Sequence, residues 1–220
     1  ATADDWRIYD TRIQIDISGS GYGIRQGASC TSLIVSGCDV TAPNGILQNE
    51  GSGNTETTIF KTNFICRTNV CTFAGVSSGD HKLQISEVTG DASGSGIFVQ
   101  GSNVTFSVTN TRCAAGNPSF GFPTDGSYEN VTGSLNNCSG TGKPGTETHT
   151  MLIGLGGEGV TITNSDFTAG AAGYALVCKG SNHSISGNTF IGGTTQTTRS
   201  YMQPQGPATE LLHSPSRTRR

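Results

Sequence analysis

The stretch Val160-Thr161-Ile162-Thr163-Asn164-Ser165-Asp166-Phe167 decides the fold, because it recurs as His183-Ser184-Ile185-Ser186-Gly187-Asn188-Thr189-Phe190. In both copies apolar residues alternate with hydroxyl residues, an asparagine or glycine turn follows, and a phenylalanine closes the unit. Alternation of period two puts one set of side chains inside and the other in water, the signature of a half-buried strand. The same pattern lies upstream. Leu83 and Ile85 alternate with Lys82, Gln84 and Ser86, and Val104, Phe106 and Val108 alternate with Thr105, Ser107 and Thr109. Ile13, Ile15 and Ile17 give an earlier copy.

Each alternating run is followed by a second apolar run, as in Gly45-Ile46-Leu47-Gln48, Gly96-Ile97-Phe98-Val99-Gln100, Met151-Leu152-Ile153 and Tyr174-Ala175-Leu176-Val177. Glycines 27, 51, 79, 101, 126, 156 and 180 close these units at steps of 24, 28, 22, 25, 30 and 24 residues. A self-similar period in the twenties is the mark of a solenoid. No segment shows the i, i+3, i+4 spacing of an amphipathic helix, which disfavours a β/α repeat. The expectation is an all-β parallel β-helix of about seven coils over residues 1–195, followed by an irregular tail, 196–220. A short cap helix is expected near Ala208–His213, and Asp4-Asp5-Trp6 is expected to start an N-terminal cap.

Turn asparagines tolerate left-handed backbone angles and bond to neighbouring groups. Stacked on successive coils, they are expected to form an amide ladder. Phe64, Phe167 and Phe190 are expected to stack inside the coil, in a slot shared with Cys38, Val88 and Cys138. The seven cysteines cannot all pair within one chain, and their spacing does not resemble a zinc site. They are expected to be mostly reduced core thiols, with Cys66 and Cys71 near enough in sequence for a local bridge.

The motifs V-T-I-T-N-S-D-F and H-S-I-S-G-N-T-F, with the glycine-ended second strands, resemble the right-handed parallel β-helix repeats of the pectin-lyase-like superfamily, and in character bacteriophage tailspikes. This resemblance implies a single-stranded right-handed β-helix and a homotrimer on a virion surface or in another extracellular setting. The implied partners are a host surface polysaccharide or other virion proteins. The enzymatic alternative is a polysaccharide lyase or glycoside hydrolase, and a third is a purely structural assembly or decoration protein. The N-T-D, G-H-G and R-I-K motifs of polygalacturonase-like hydrolases are missing, and the one D-D pair is Asp4-Asp5. No R-x-P-x-R of the pectate-lyase kind occurs.

Charge narrows the partners. Residues 1–195 carry 9 basic and 15 acidic residues, net −6, and residues 196–220 carry 4 basic and 1 acidic, net +3. An acidic body argues against a nucleic-acid groove. No stretch reaches the length of a membrane-spanning helix, and no cofactor or metal is expected. The longest interruptions of the repeat, 112–130 and 138–150, supply the candidate site. Phe120, Phe122, Tyr128 and Lys143 are its binding candidates, because aromatic faces beside polar groups suit sugars. Asp125, Glu129, Glu147 and His149 are its catalytic candidates, because paired carboxylates serve as acid and base in glycoside hydrolysis. His81 and His183 follow equivalent turns and are expected to be four coils apart.

Overall fold

The structure is a computed structural model that describes residues 5–27, 30–48, 54–74, 79–116, 118–122, 129–143, 149–153, 157–170, 173–193 and 201–202. These residues form an all-strand parallel β-solenoid. Each rung contributes one strand to an eight-stranded parallel sheet and one or two strands to a second, fourteen-stranded sheet. The first line of strands comprises Asp5–Tyr9, Ser32–Ser36, Thr55–Phe60, His81–Ser86, Val104–Thr109, Val131–Asn136, Gly157–Thr163 and Ser184–Ser186. Six interior turns, from Ser32–Ser36 to Tyr174–Cys178, lie between a first and a last rung.

The first line follows the alternation in the sequence. His81, Leu83 and Ile85 are buried while Lys82 and Gln84 are exposed, and Val104, Phe106 and Val108 are buried while Thr105 and Ser107 are exposed. What looks like one turn in the sequence contains a further short strand. Thr89–Asp91, Arg112–Ala115, Ser139–Gly142, Asp166–Thr168 and Thr189–Ile191 stack as a second line. The apolar runs Ile97–Gln100, Phe120–Phe122, His149–Ile153 and Tyr174–Cys178 form the third. Both lines belong to the second sheet because Asp39–Gln48 and Asn63–Ala74 run through them without a break. The first rung departs from expectation. Its first-line strand is Asp5–Tyr9, where a cap was expected, and Arg12–Gln14 belongs to the second line.

The corner between the first and second lines is built identically on all eight rungs. Asp10, Gly37, Lys61, Glu87, Asn110, Asn137, Asn164 and Gly187 occupy it with φ between 46° and 66°. Left-handed backbone favours glycine, asparagine and aspartate, which explains six of these eight residues, all but Lys61 and Glu87. At Gly37 the left-handed backbone is what favours glycine, since the nearest group to an added Cβ is the carboxylate of exposed Asp10, which can move aside. The residue after the corner turns inward and donates to the carbonyl two positions back. Thr11, Cys38, Thr62, Thr111, Cys138 and Ser165 do so to Tyr9, Ser36, Phe60, Thr109, Asn136 and Thr163, at 2.7–3.5 Å. Cys38, Val88 and Cys138 therefore belong to this slot, filled on most rungs by small donors, and not to the phenylalanine slot. The phenylalanine slot lies two residues further on, where Val40, Phe64, Gly90, Cys113, Gly140, Phe167 and Phe190 stack in register. Small residues occupy the middle of this column and phenylalanines flank them, Phe167 filling the space above Gly140. Phe167 stacks on Phe190 with ring centroids 5.5 Å apart and meets Phe120 edge-on at 6.0 Å.

The amide ladder is present at both ends of the first line. Asn137 Nδ2 donates to Asn110 Oδ1 at 2.7 Å, and Asn130 Nδ2 donates to Asn103 Oδ1 at 2.8 Å. All seven cysteines are free and buried, Cys66 and Cys71 included. Burial pushes the Cys66 thiol up to about 12 and those of Cys138 and Cys178 up to about 11. The expected helix near Ala208–His213 lies outside the described residues.

Candidate functional site: an aromatic groove on the first sheet

Most of the expected site residues do not meet. Phe120 and Phe122 are fully buried, so neither is available to a ligand. Phe122 stacks on Phe106 at 4.0 Å inside the coil. Lys143, at the end of the second line, pairs with Asp91 two rungs away. Glu129 is exposed at a different corner, just before Val131–Asn136, and its backbone N–H donates to Ser102 Oγ. His149 opens a third-line strand opposite Tyr174. Asp125, Tyr128 and Glu147 lie outside the described residues. Asp166 stacks in the column of Asp39 and Asn63, whereas Glu87 belongs to the left-handed corner row. His81 is an interior residue whose Nδ1 lies 2.6 Å from Thr55 Oγ1. His183 is two positions out of step with it: its Nδ1 accepts from Val160 N–H and its Nε2 faces the Lys179 carbonyl.

A groove of about 420 Å³ lies on the outer face of the first sheet. Two columns of outward side chains form it. One runs Ile34, Thr58, Gln84 and Ser107, and the other runs Tyr9, Ser36, Phe60, Ser86 and Thr109. Tyr9 is half exposed at 50%. Tyr9 and Phe60 are two rungs apart, about 9.6 Å at a rung spacing of ~4.8 Å. Ser36 lies between them and Ser86 lies beyond Phe60, so each side of the Phe60 ring faces a notch with a hydroxyl at its base. Lys61 Nζ lies 4.9 Å from the centre of the Phe60 ring, which restrains the ring and brings a cation to the rim.

The columns continue as hydroxyl and amide side chains along the solenoid. Ser107 is followed by Ser134, Thr161 and Ser184, and Thr109 by Asn136, Thr163 and Ser186. Among the described residues the lining holds no carboxylate. The rim acids at the corner, Asp10 and Glu87, are three rungs apart, about 14 Å. Paired glycosidase carboxylates sit about 5–9.5 Å apart, so these two do not form such a pair. The groove therefore presents aromatic bodies, hydroxyl donors and acceptors, and two cations at its margin, Lys61 beside Phe60 and Arg7 above Ile34 in the first column.

The sequence carries a signal for this groove. In Thr55-Glu-Thr-Thr-Ile-Phe60 the alternation buries Thr55, Thr57 and Ile59, which leaves Phe60 on the side that hydroxyl residues occupy elsewhere. Tyr9 stands out in the same way in Trp6-Arg-Ile-Tyr9. No family model, curated protein or solved structure matches this chain.

Proposed function

We propose that this chain is a rigid glycan-binding solenoid of the tailspike kind, displayed on a virion or other extracellular surface. The observation that carries the reading is the Tyr9–Ser36–Phe60–Ser86 column, which alternates aromatic faces with hydroxyl-floored notches on a flat sheet. Aromatic rings present an apolar body to the C–H face of a sugar, and neighbouring hydroxyls bond its rim. A β-sheet holds these groups in place before binding, so little ordering is needed when a ligand arrives. Three solenoids packed side by side belong to the same proposal.

The test is a screen of purified bacterial surface polysaccharides, neutral and acidic, with binding followed by interferometry and cleavage by release of reducing ends. The reading predicts binding without cleavage. Cleavage would place an active centre elsewhere on the chain, and absence of all binding would leave a structural projection as the better account.

A further inference from the structure

Among the described residues, no further rung covers the inward columns at either end of the solenoid. Trp6 stacks in register with Leu33, Thr57 and Leu83, which are all buried, yet it is 56% exposed, and no rung lies above it among the described residues. Ile8, Ile13 and Ile15 on the first rung, and Ile185 and Phe190 on the last, are half-buried at the margin of the core. Open sheet edges combined with exposed apolar side chains are association surfaces.

The two ends fit one another. Ile8 and Ile185 are the terminal members of one inward column, which runs Ile8, Val35, Ile59, Ile85, Val108, Leu135, Ile162 and Ile185. Ile13 and Phe190 end another, the one that holds Phe64 and Phe167. Asp10 and Gly187 share the left-handed corner. Two backbone bonds tie each corner to the next. The corner N–H donates to the carbonyl before the next corner, as from Asp10 to Ser36 and from Asn164 to Ser186. The N–H two residues past a corner donates back to the preceding rung, as from Asp39 to Thr11 and from Thr189 to Ser165.

We infer that the first rung of one chain docks on the last rung of a second copy, head to tail. Gly187 N–H then donates to Tyr9 O of the next copy, and Arg12 N–H of that copy donates to Asn188 O. Ile8 covers Ile185, and Ile13 covers Phe190. Residues 181–193, which hold the first two strands of the last rung, carry no Asp, Glu, Lys or Arg, so no like charge opposes the approach on that part of the rung. Such a contact is heterologous and does not close, so units add in a line.

The experiment is sedimentation velocity on the 220-residue chain over a wide concentration range, with two variants that each spoil one end. Trp6→Lys blocks the first rung and Ile185→Lys the last. The wild type is expected to form a series of growing species, and each variant alone to stay as single units. An equimolar mixture of the two variants retains one good end of each kind, so it is expected to form paired units and nothing larger. The mixture also controls for folding, because misfolded variants would not pair. A wild type that stays as single units at all concentrations, or variants whose mixture does not pair, would overturn the inference, as would a single variant that still pairs with itself.

Discussion

Phe167→Ala removes the largest side chain that holds the last two rungs to the rest of the solenoid. The ring is fully buried, fills the space above Gly140, stacks on Phe190 and meets Phe120 edge-on. Truncating a buried phenylalanine costs about 3–5 kcal/mol in transfer and cavity terms. The aromatic contacts are included in that figure, and with two of them the upper half of the range applies. In a solenoid this loss is not shared evenly, because each rung is stabilised mainly by its neighbours. Ser184–Ser186 and Thr189–Ile191 have only one neighbouring rung, so they should open first. Hydrogen exchange read by mass spectrometry, alongside urea unfolding, is the assay. Protection in 157–191 should fall by at least two orders of magnitude, with that in 32–74 little changed. A uniform fall along the chain, or a loss below about 1 kcal/mol, would refute the rung-by-rung reasoning.

Asn137→Ala and Asn137→Gly separate the two roles of the corner asparagine, whose φ is 53° and whose amide bonds Asn110. Both variants lose the ladder bond, but only alanine keeps the left-handed strain of roughly 1–2 kcal/mol; urea midpoints should rank wild type, glycine, alanine, and an alanine variant as stable as the glycine one would contradict this. The buried thiols should resist a disulfide reagent at about pH 8 in the folded protein and react fully once it is unfolded. Because the folded values of Cys66, Cys138 and Cys178 are raised to about 12, 11 and 11, their stabilisation is complete below the ordinary thiol value of 9.0. Stability should fall as pH rises from about 9 towards 11–12, by up to ~1.4 kcal/mol per pH unit for each thiol. Urea midpoints that do not fall across that window would argue that these thiols are open to solvent.

Strand alternation and the glycine period were enough to read the solenoid, because a buried face and a solvated face leave opposite residue types on a strand. The second line of strands is hard to see in sequence because it is only three or four residues long on most rungs and carries one or two inward residues, such as Phe167 alone or Cys113 with Ala115. Such a residue resembles the end of a turn. The slot of Cys38 is ambiguous in sequence for a related reason. A cysteine that packs as a small apolar residue and one that donates to a carbonyl two residues back look the same in sequence, and only the stacked Thr62, Thr111 and Ser165 reveal the second role. The groove leaves little trace in the sequence because the long irregular segments lie at 112–150, whereas Tyr9 and Phe60 belong to regular strands. Their distinction is to be aromatic on the outward parity, and their proximity depends on register across two rungs.

The measurement that tests the central claim most directly is titration of a binding polysaccharide, chosen from the screen, into the wild type and into Phe60→Ser. Serine already occupies this column at positions 36 and 86, so the substitution leaves the sheet intact. The account predicts affinity at least about tenfold weaker, the equivalent of ~1.4 kcal/mol, in a protein that stays folded with an unfolding midpoint lowered only modestly by the loss of a partly buried ring. Equal affinity in the two proteins would place the glycan on another surface and contradict the account.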